Sequence, residues 1–324
     1  MGMLIDGVWT DGEILQEASE MGRFKRSDSQ FRSFITADGS SGFKAETGRY
    51  HLYAAHGCPW AHRALIYHAL KNLSGVISVS LAISGPKTEG WSYGEDQRFP
   101  DCTPDLVNGY RYLRDAYTAT DGKYTGKVTV PALWDRKSGR IINNESSEII
   151  RMLNSEFNQI TGEYTDYYPA YLRAEIDAIN DKIYHAVNNG VYRCGFAASQ
   201  EAYEEAFDTL FDTLDELERR LSRQRFLVGG HLTEADWRLF PTLVRFDVVY
   251  FSAFKCNKKR LADYPNLFSY MRELYHVPGI AATVKPRHYI LNYYSIPKAN
   301  PNGIIPKGTP FDMSAPPDRV RQLG

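Results

Sequence analysis

The chain has 324 residues, 43% of them apolar and 24% charged, with a formal net charge of −1. That is long enough for one large or two ordinary domains, and it supplies no whole-protein field to draw in nucleic acid or anionic lipid. The four cysteines, at 58, 102, 194 and 256, have neither the density of a disulfide scaffold nor the paired spacing of a zinc site, so a reducing compartment fits best.

Residues 1–48 are polar, punctuated by Gly39-Ser-Ser-Gly42, and read as an extended arm for packing or a dimer contact. Their first thirty positions lack the apolar core of a secretory signal, and no later run reaches membrane-spanning length, so a cytoplasmic protein is expected. The aromatic and aliphatic run 49–55 reads as a buried strand, and Pro59 suits the first position of a helix, where a missing N–H costs nothing. Cys58 is then the N-cap. Ala61, Leu65, Ala69 and Leu73 recur every fourth residue as one apolar face, with Gly75 as the stop. The β-branched run 76–83 reads as a second strand and completes a right-handed βαβ unit.

Residues 84–127 break the pattern with Gly, Pro, Asp and aromatics, Trp91 and Phe99 among them, and predict a functional loop or lid. Residues 128–134 and 140–143 flank the turn Lys137-Ser-Gly139 and read as an antiparallel hairpin. Pro131 suits an edge or a strand start, and a cis Val130-Pro131 bond would present backbone to a ligand. Asn144-Glu-Ser-Ser-Glu148 opens a helix whose apolar face is Ile149, Ile150, Leu153 and Phe157, with Asn144 and Ser147 as its ordinary capping residues.

From about 165 onward the pattern is helical. Phe207, Leu210, Phe211, Leu214, Leu217 and Leu221 share one face of a helix over 201–223, and Thr233-Glu-Ala-Asp236 has the form of a capping box. The expected organisation is an arm at 1–48, a βαβ–ββα domain at 49–160, an all-helical domain at 165–295 and a Pro-rich tail at 296–324.

A thiol at a helix start faces unpaired N–H groups and the positive end of the helix dipole, which favour the thiolate; His62 and Arg63 would add to the effect. Ala61 stands where a Cys-x-x-Cys motif would place its second thiol, so Cys58 is a monothiol. A monothiol that attacks sulfur ends as a mixed disulfide, which an outside thiol has to clear.

At Cys58-Pro-Trp-Ala-His-Arg63 the sequence resembles the glutathionyl-hydroquinone reductases, the Xi class of the glutathione transferase superfamily. The likeness extends through Gly42-Phe-Lys-Ala-Glu-Thr-Gly-Arg-Tyr-His-Leu-Tyr53, Val128-Thr-Val-Pro131, Asn143-Asn-Glu-Ser-Ser-Glu148, Asn188-Asn-Gly-Val-Tyr192, Arg245-Phe-Asp-Val-Val-Tyr250 and Asn300-Pro-Asn-Gly303, roughly residues 40 to 306 in all. It implies a thioredoxin-like domain followed by a helical one, a homodimer, glutathione as co-substrate and no metal. The implied reaction takes a glutathionyl-hydroquinone and glutathione to the free hydroquinone and glutathione disulfide.

Residue by residue, the resemblance implies Cys58 as nucleophile and Val130 beside Pro131 as backbone partner of the cysteinyl part of glutathione. Trp91 and Lys127 would help enclose glutathione, and Glu145 and Ser146 would take its γ-glutamyl end. For Ser146 the first turn of a helix gives an independent reason, since a hydroxyl and free N–H groups suit an α-carboxylate. Tyrosines of the helical domain are implied as donors to the quinol: Tyr192, Tyr250 and a third, Tyr293 by its distance from Asn300, with Tyr289 as the alternative. Ala253 stands where relatives commonly have His and is expected to alter the quinol pocket. The competing readings are a conjugating or reductively dehalogenating glutathione transferase acting on quinones, and a non-enzymatic binding protein that keeps the fold.

Overall fold

The computed structural model describes residues 2–10, 20–308, 312, 313 and 315–317. Part of the expected arm and most of the expected tail beyond 308 lie outside these described residues. The chain divides into two units, Met1–Gln16 with Ser27–Thr165 and Glu17–Arg26 with Asp166–Gly324.

The first unit opens on a hairpin, β1 (Met3–Ile5) and β2 (Val8–Thr10), which turns at Asp6 and Gly7, both at positive φ. Leu4 exchanges backbone hydrogen bonds with Gly126 at 3.0 and 2.9 Å, so the start of the chain is paired to a segment far along it. Residues 31–35 are likewise bonded to distant parts of the unit. Ser33 donates to the Ile142 carbonyl at 2.8 Å, and the Phe31 carbonyl accepts from the Asn144 amide at 3.1 Å.

The main sheet has the order β4-β3-β5-β6. β3 (Tyr50–Ala54) is buried along its whole length because it has a strand on each edge. It leads through Cys58 into α1 (Pro59–Leu70) and returns as β4 (Ser78–Leu81), parallel to β3. The single apolar face expected for α1 is replaced by burial of every residue from Ala61 to Tyr67, and the helix ends at Leu70 rather than near Gly75. Asn72, at φ 53°, makes the break, since a short polar side chain tolerates the left-handed conformation.

Within the stretch expected to be irregular lies α2 (Leu113–Thr120), whose buried Leu113, Ala116 and Tyr117 have the i, i+3, i+4 spacing of a helix. The hairpin follows as β5 (Ala132–Asp135) and β6 (Arg140–Asn143), then α3 (Ser146–Ser155) and a single turn, α4 (Asn158–Thr161). Phe157 precedes that turn instead of closing α3.

In the second unit α5 (Arg173–Ile183) runs through a π turn at Tyr184–Asn188 into α6 (Gly190–Gly195). α7 (Gln200–Leu221) buries Leu210, Phe211, Leu214, Leu217 and Leu221, as its spacing predicts. α8 (Glu234–Arg245) passes through a second π turn, Phe246–Tyr250, to α9 (Phe251–Ala253); α10 (Pro265–Tyr275) and α11 (Pro286–Tyr294) complete the described helices. Among the described residues no helix is long and apolar enough to cross a membrane.

Asp236 joins three parts of this unit. Its carboxylate accepts from the Thr233 amide at 2.8 Å and hydroxyl at 3.0 Å, from the Leu227 amide at 2.9 Å and from the Tyr270 hydroxyl at 2.7 Å. Removing it strands buried donors in three segments. Asp236→Ala is expected to destabilise the protein by about 3 kcal/mol, seen as a lowered urea midpoint; an unchanged midpoint would contradict this role.

Candidate functional site

Cys58 caps α1 with extended backbone (φ −89°, ψ 124°), and its carbonyl accepts the first helical bond from His62 at 3.0 Å. Only 8% of the residue is exposed, and its thiol donates to the Val130 carbonyl at 3.4 Å. The bond between Val130 and Pro131 is cis. Sheet topology explains this meeting. β3 runs toward Cys58, β5 begins just after Pro131, and their antiparallel register pairs Tyr53 with Ala132, so the two ends coincide.

The other thiols differ in environment. Burial pushes Cys102 up to about 12 and Cys256, beside Cys194, well above the ordinary thiol value, so both stay protonated at neutral pH.

Tyr117 of α2, absent from the residues picked out by sequence, braces the cis-proline segment. Its hydroxyl donates to the Thr129 carbonyl at 2.8 Å and accepts from the Thr129 amide at 3.2 Å and the Asn144 side-chain amide at 3.1 Å. One buried phenol thus fixes both the backbone before Pro131 and the turn before α3. The helical spacing of Leu113, Ala116 and Tyr117 was the available signal.

At the start of α3, Glu145 is the N-cap, in place of the expected Asn144 and Ser147. Its Oε1 accepts from the Ser147 amide at 3.0 Å and hydroxyl at 2.8 Å, and its Oε2 accepts from Ser29 Oγ at 3.1 Å. Burial alone would raise the Glu145 pKa, but these bonds and the nearby Arg63 charge outweigh it and hold the group below its usual value. Ser146 is the first helical residue, and its Oγ accepts from Arg63 Nη1 at 3.4 Å. Trp91 is buried, with its carbonyl bonded to the Leu113 amide at 2.9 Å. Lys127 is half-buried four residues before Pro131, and its carbonyl accepts from Tyr124 at 3.2 Å.

In the second unit the structure brings three of the expected tyrosines together. Tyr293 Oη lies 2.5 Å from Tyr192 Oη and 2.9 Å from Tyr250 Oη. Phe254 packs 5.4 Å from each of the three rings. Burial pushes Tyr250 and Tyr293 well above the usual tyrosine value, so both remain neutral donors at physiological pH. Tyr289 is engaged otherwise: its hydroxyl accepts from the Lys285 amide at 3.0 Å and the Arg245 guanidinium lies 3.7 Å over its ring. Sequence reasoning missed Arg26, whose guanidinium lies 4.8 Å over Tyr192 and bonds Asn189 at 3.0 Å. Ala253 is buried in α9. Among the described residues no group of three or more His, Cys, Asp or Glu could hold a metal ion.

Residues 57–156 match the glutathione S-transferase N-terminal domain family and residues 200–273 its C-terminal domain family. The glutathionyl-hydroquinone reductase PcpF of Sphingobium chlorophenolicum is 53% identical over 95% of this chain and 96% of its own. The glutathionyl-hydroquinone reductase YqjG of Escherichia coli is 47% identical over the full length of both. The glutathione-bound structure of YqjG superposes with a TM-score of 0.90 at 44% identity, covering 98% of this chain and 99% of that one. A Xi-class glutathione transferase of Natrialba magadii gives 0.91 at 41% identity, covering 99% and 97%.

The Glu145 environment makes a prediction about stability. A carboxylate whose folded pKa is depressed stabilises the fold above its unfolded value, here 4.5, and loses that contribution as pH falls through the folded value. Urea midpoints of the parent and Glu145→Gln are therefore expected to differ by a constant amount from neutral pH down to about 4.5 and to converge below it. Convergence already near pH 6 would contradict the depressed pKa.

Proposed function

The chain belongs to the glutathionyl-hydroquinone reductases, the Xi class of the glutathione transferase superfamily, and we propose that it reduces glutathionyl-hydroquinones through a disulfide between Cys58 and glutathione. The observation that carries this reading is the Cys58 thiol, set at the start of α1 against the Val130 carbonyl beside a cis proline, with Ala61 in place of a resolving thiol.

In this reading glutathione lies along the first unit. Val130 meets the cysteinyl backbone, the Glu145–Ser146 corner takes the γ-glutamyl group, and Trp91 and Lys127 enclose the remainder. The α3 start supports the second assignment, because the positive end of the helix dipole and the Ser146 hydroxyl favour a carboxylate.

An aryl thioether resists attack at sulfur, since the leaving group would be an aryl carbanion. Moving a proton from a ring hydroxyl to the carbon that carries sulfur gives the keto tautomer. The Cys58 thiolate then takes the glutathionyl sulfur, the carbon–sulfur bond breaks, and its electron pair stays on the ring as an enolate, the hydroquinone anion. Tyr192, Tyr250 and Tyr293 are the donors assigned to the ring oxygens, where negative charge develops. A second glutathione thiolate attacks the mixed disulfide, releasing glutathione disulfide and regenerating the Cys58 thiolate. The small-molecule partners are therefore glutathione and a glutathionyl-hydroquinone. A second copy of the chain and the reducing cytoplasm complete the proposed setting.

Intact-mass measurement after incubation with a glutathionyl-hydroquinone, without free glutathione, is expected to find one glutathione on the parent, none on Cys58→Ser, and one equivalent of hydroquinone released. Conjugation of glutathione to an electrophile with no adduct on Cys58 would instead assign a conjugating transferase. Tyr293→Phe is expected to slow hydroquinone release about a hundredfold while leaving glutathione's attack on a preformed Cys58 disulfide unchanged. Stopped-flow comparison of the two steps checks this, and equal slowing of both would remove Tyr293 from the quinol step.

A further inference from the structure

Residues 21–26 lie against α6 and the start of α7, within the unit that carries the three tyrosines. The Gly22 carbonyl accepts from the Ala198 amide at 2.9 Å, and the Met21 carbonyl accepts from the Ser199 hydroxyl at 3.3 Å. Gly22, at φ +75°, permits this approach, since a Cβ there would stand 2.9 Å from the Ser199 nitrogen. Arg23 donates to one oxygen of Glu205, on α7, through Nε at 2.9 Å and Nη2 at 2.7 Å, and Arg193 of α6 donates to the other oxygen at 3.1 Å. The Phe24 ring stacks 6.4 Å from Tyr192 and lies 5.6 Å from Phe196. The segment is thus anchored before it reaches Arg26.

Arg26 is anchored in turn. Its Nε donates to Asn189 Oδ1 at 3.0 Å, and its guanidinium carbon lies 4.8 Å from the centre of the Tyr192 ring and 5.5 Å from that of Phe24. Asn189 is the N-cap of α6, and its carbonyl accepts from the Tyr192 amide at 3.0 Å, so the anchor and the ring belong to one helical turn. The cation is held over the ring whose hydroxyl stands 2.5 Å from that of Tyr293.

We propose that Arg26 is a positioning residue for the quinol step that acts through Tyr192, strengthening this phenol as a hydrogen-bond donor to the ring oxygen of the departing hydroquinone. The inference deepens the reading of Tyr192 as a donor and rests on it. A cation over the face of a phenol is attracted by the ring electrons, and the attraction grows as the hydroxyl proton shifts toward the enolate and negative charge moves into the phenol. The contact is then stronger in the transition state than in the ground state, which is the condition for lowering a barrier. The proton is shared between the two oxygens, so the cleavage needs no acid or base beyond those already named.

The test is a double-mutant cycle on the full-length protein. Hydroquinone release from the glutathione conjugate of unsubstituted hydroquinone is followed in a single turnover without free glutathione, for Arg26→Met, Tyr192→Phe and the two combined. Arg26→Met is expected to slow release about tenfold when Tyr192 is present and less than about twofold when Tyr192→Phe has removed the hydroxyl. Arg26→Lys, which keeps a cation at this position, is expected to recover most of the loss. A residue that merely packs would slow release equally in both backgrounds, and that result would overturn the proposal. Arg26→Met at the parental rate, or Arg26→Lys as slow as Arg26→Met, would overturn it as well. If Tyr192→Phe slows release and Arg26→Met does not, the inference fails alone; Tyr192→Phe at the parental rate would instead remove the donor reading on which it rests.

Discussion

The Cys58 thiol meets the Val130 carbonyl at 3.4 Å because two strands that lie side by side run in opposite directions. β3 ends where β5 begins, so the residue that leaves the first strand and the residue that enters the second share one end of the sheet. Had β5 been parallel to β3, Pro131 would lie at the far end, about 15 Å away for strands of this length. The helix start places the thiol at the positive end of the α1 dipole, and the cis-proline segment supplies the Val130 carbonyl that accepts from it.

Holding that meeting point requires polar groups in the interior, and the unit satisfies them from segments distant in sequence. Tyr117 bonds the backbone at Thr129 and the side chain of Asn144. Ser29 reaches both the Asn144 carbonyl and the Glu145 carboxylate at 3.1 Å. A buried donor or acceptor left without a partner costs about 1–3 kcal/mol, so such a corner is assembled as a whole or not at all. The polar stretch around Ser29 is therefore part of the site's support.

The second unit solves a different problem. Three phenols share hydroxyl contacts in a setting of aromatic rings, and close packing leaves little slack: a Cβ added at Gly195 would stand 2.3 Å from Phe254. Burial keeps Tyr250 and Tyr293 protonated, as hydrogen-bond donation requires. The first π turn precedes α6, which carries Tyr192, and the second ends on Tyr250 itself, so at both tyrosines a local change of helical period helps set where the side chain is aimed.

Much of this was legible in the chain itself. The apolar run before Cys58, the proline after it, and the missing second thiol are local features, and they determined a strand, a helix start and a monothiol. Periodicity likewise determined α7, and the Thr233–Asp236 spacing determined the start of α8. Features that depended on partners far apart in sequence lay beyond reach. The helical spacing at Leu113, Ala116 and Tyr117 was present but obscured by the irregular residues around it, and Glu145 displaced Asn144 as cap because Asn144 is used by Phe31 and Tyr117. The polar arm gave no periodic sign that Arg26 would lie over Tyr192, since a short segment takes its place from long-range pairing rather than from its own pattern. Spacing from Asn300 favoured Tyr293 over Tyr289, but only the packing of α11 decided which hydroxyl reaches Tyr192 and Tyr250. Local propensity and period reside in neighbouring residues, whereas hydrogen-bond partners and buried contacts are settled when distant segments compete for the same space.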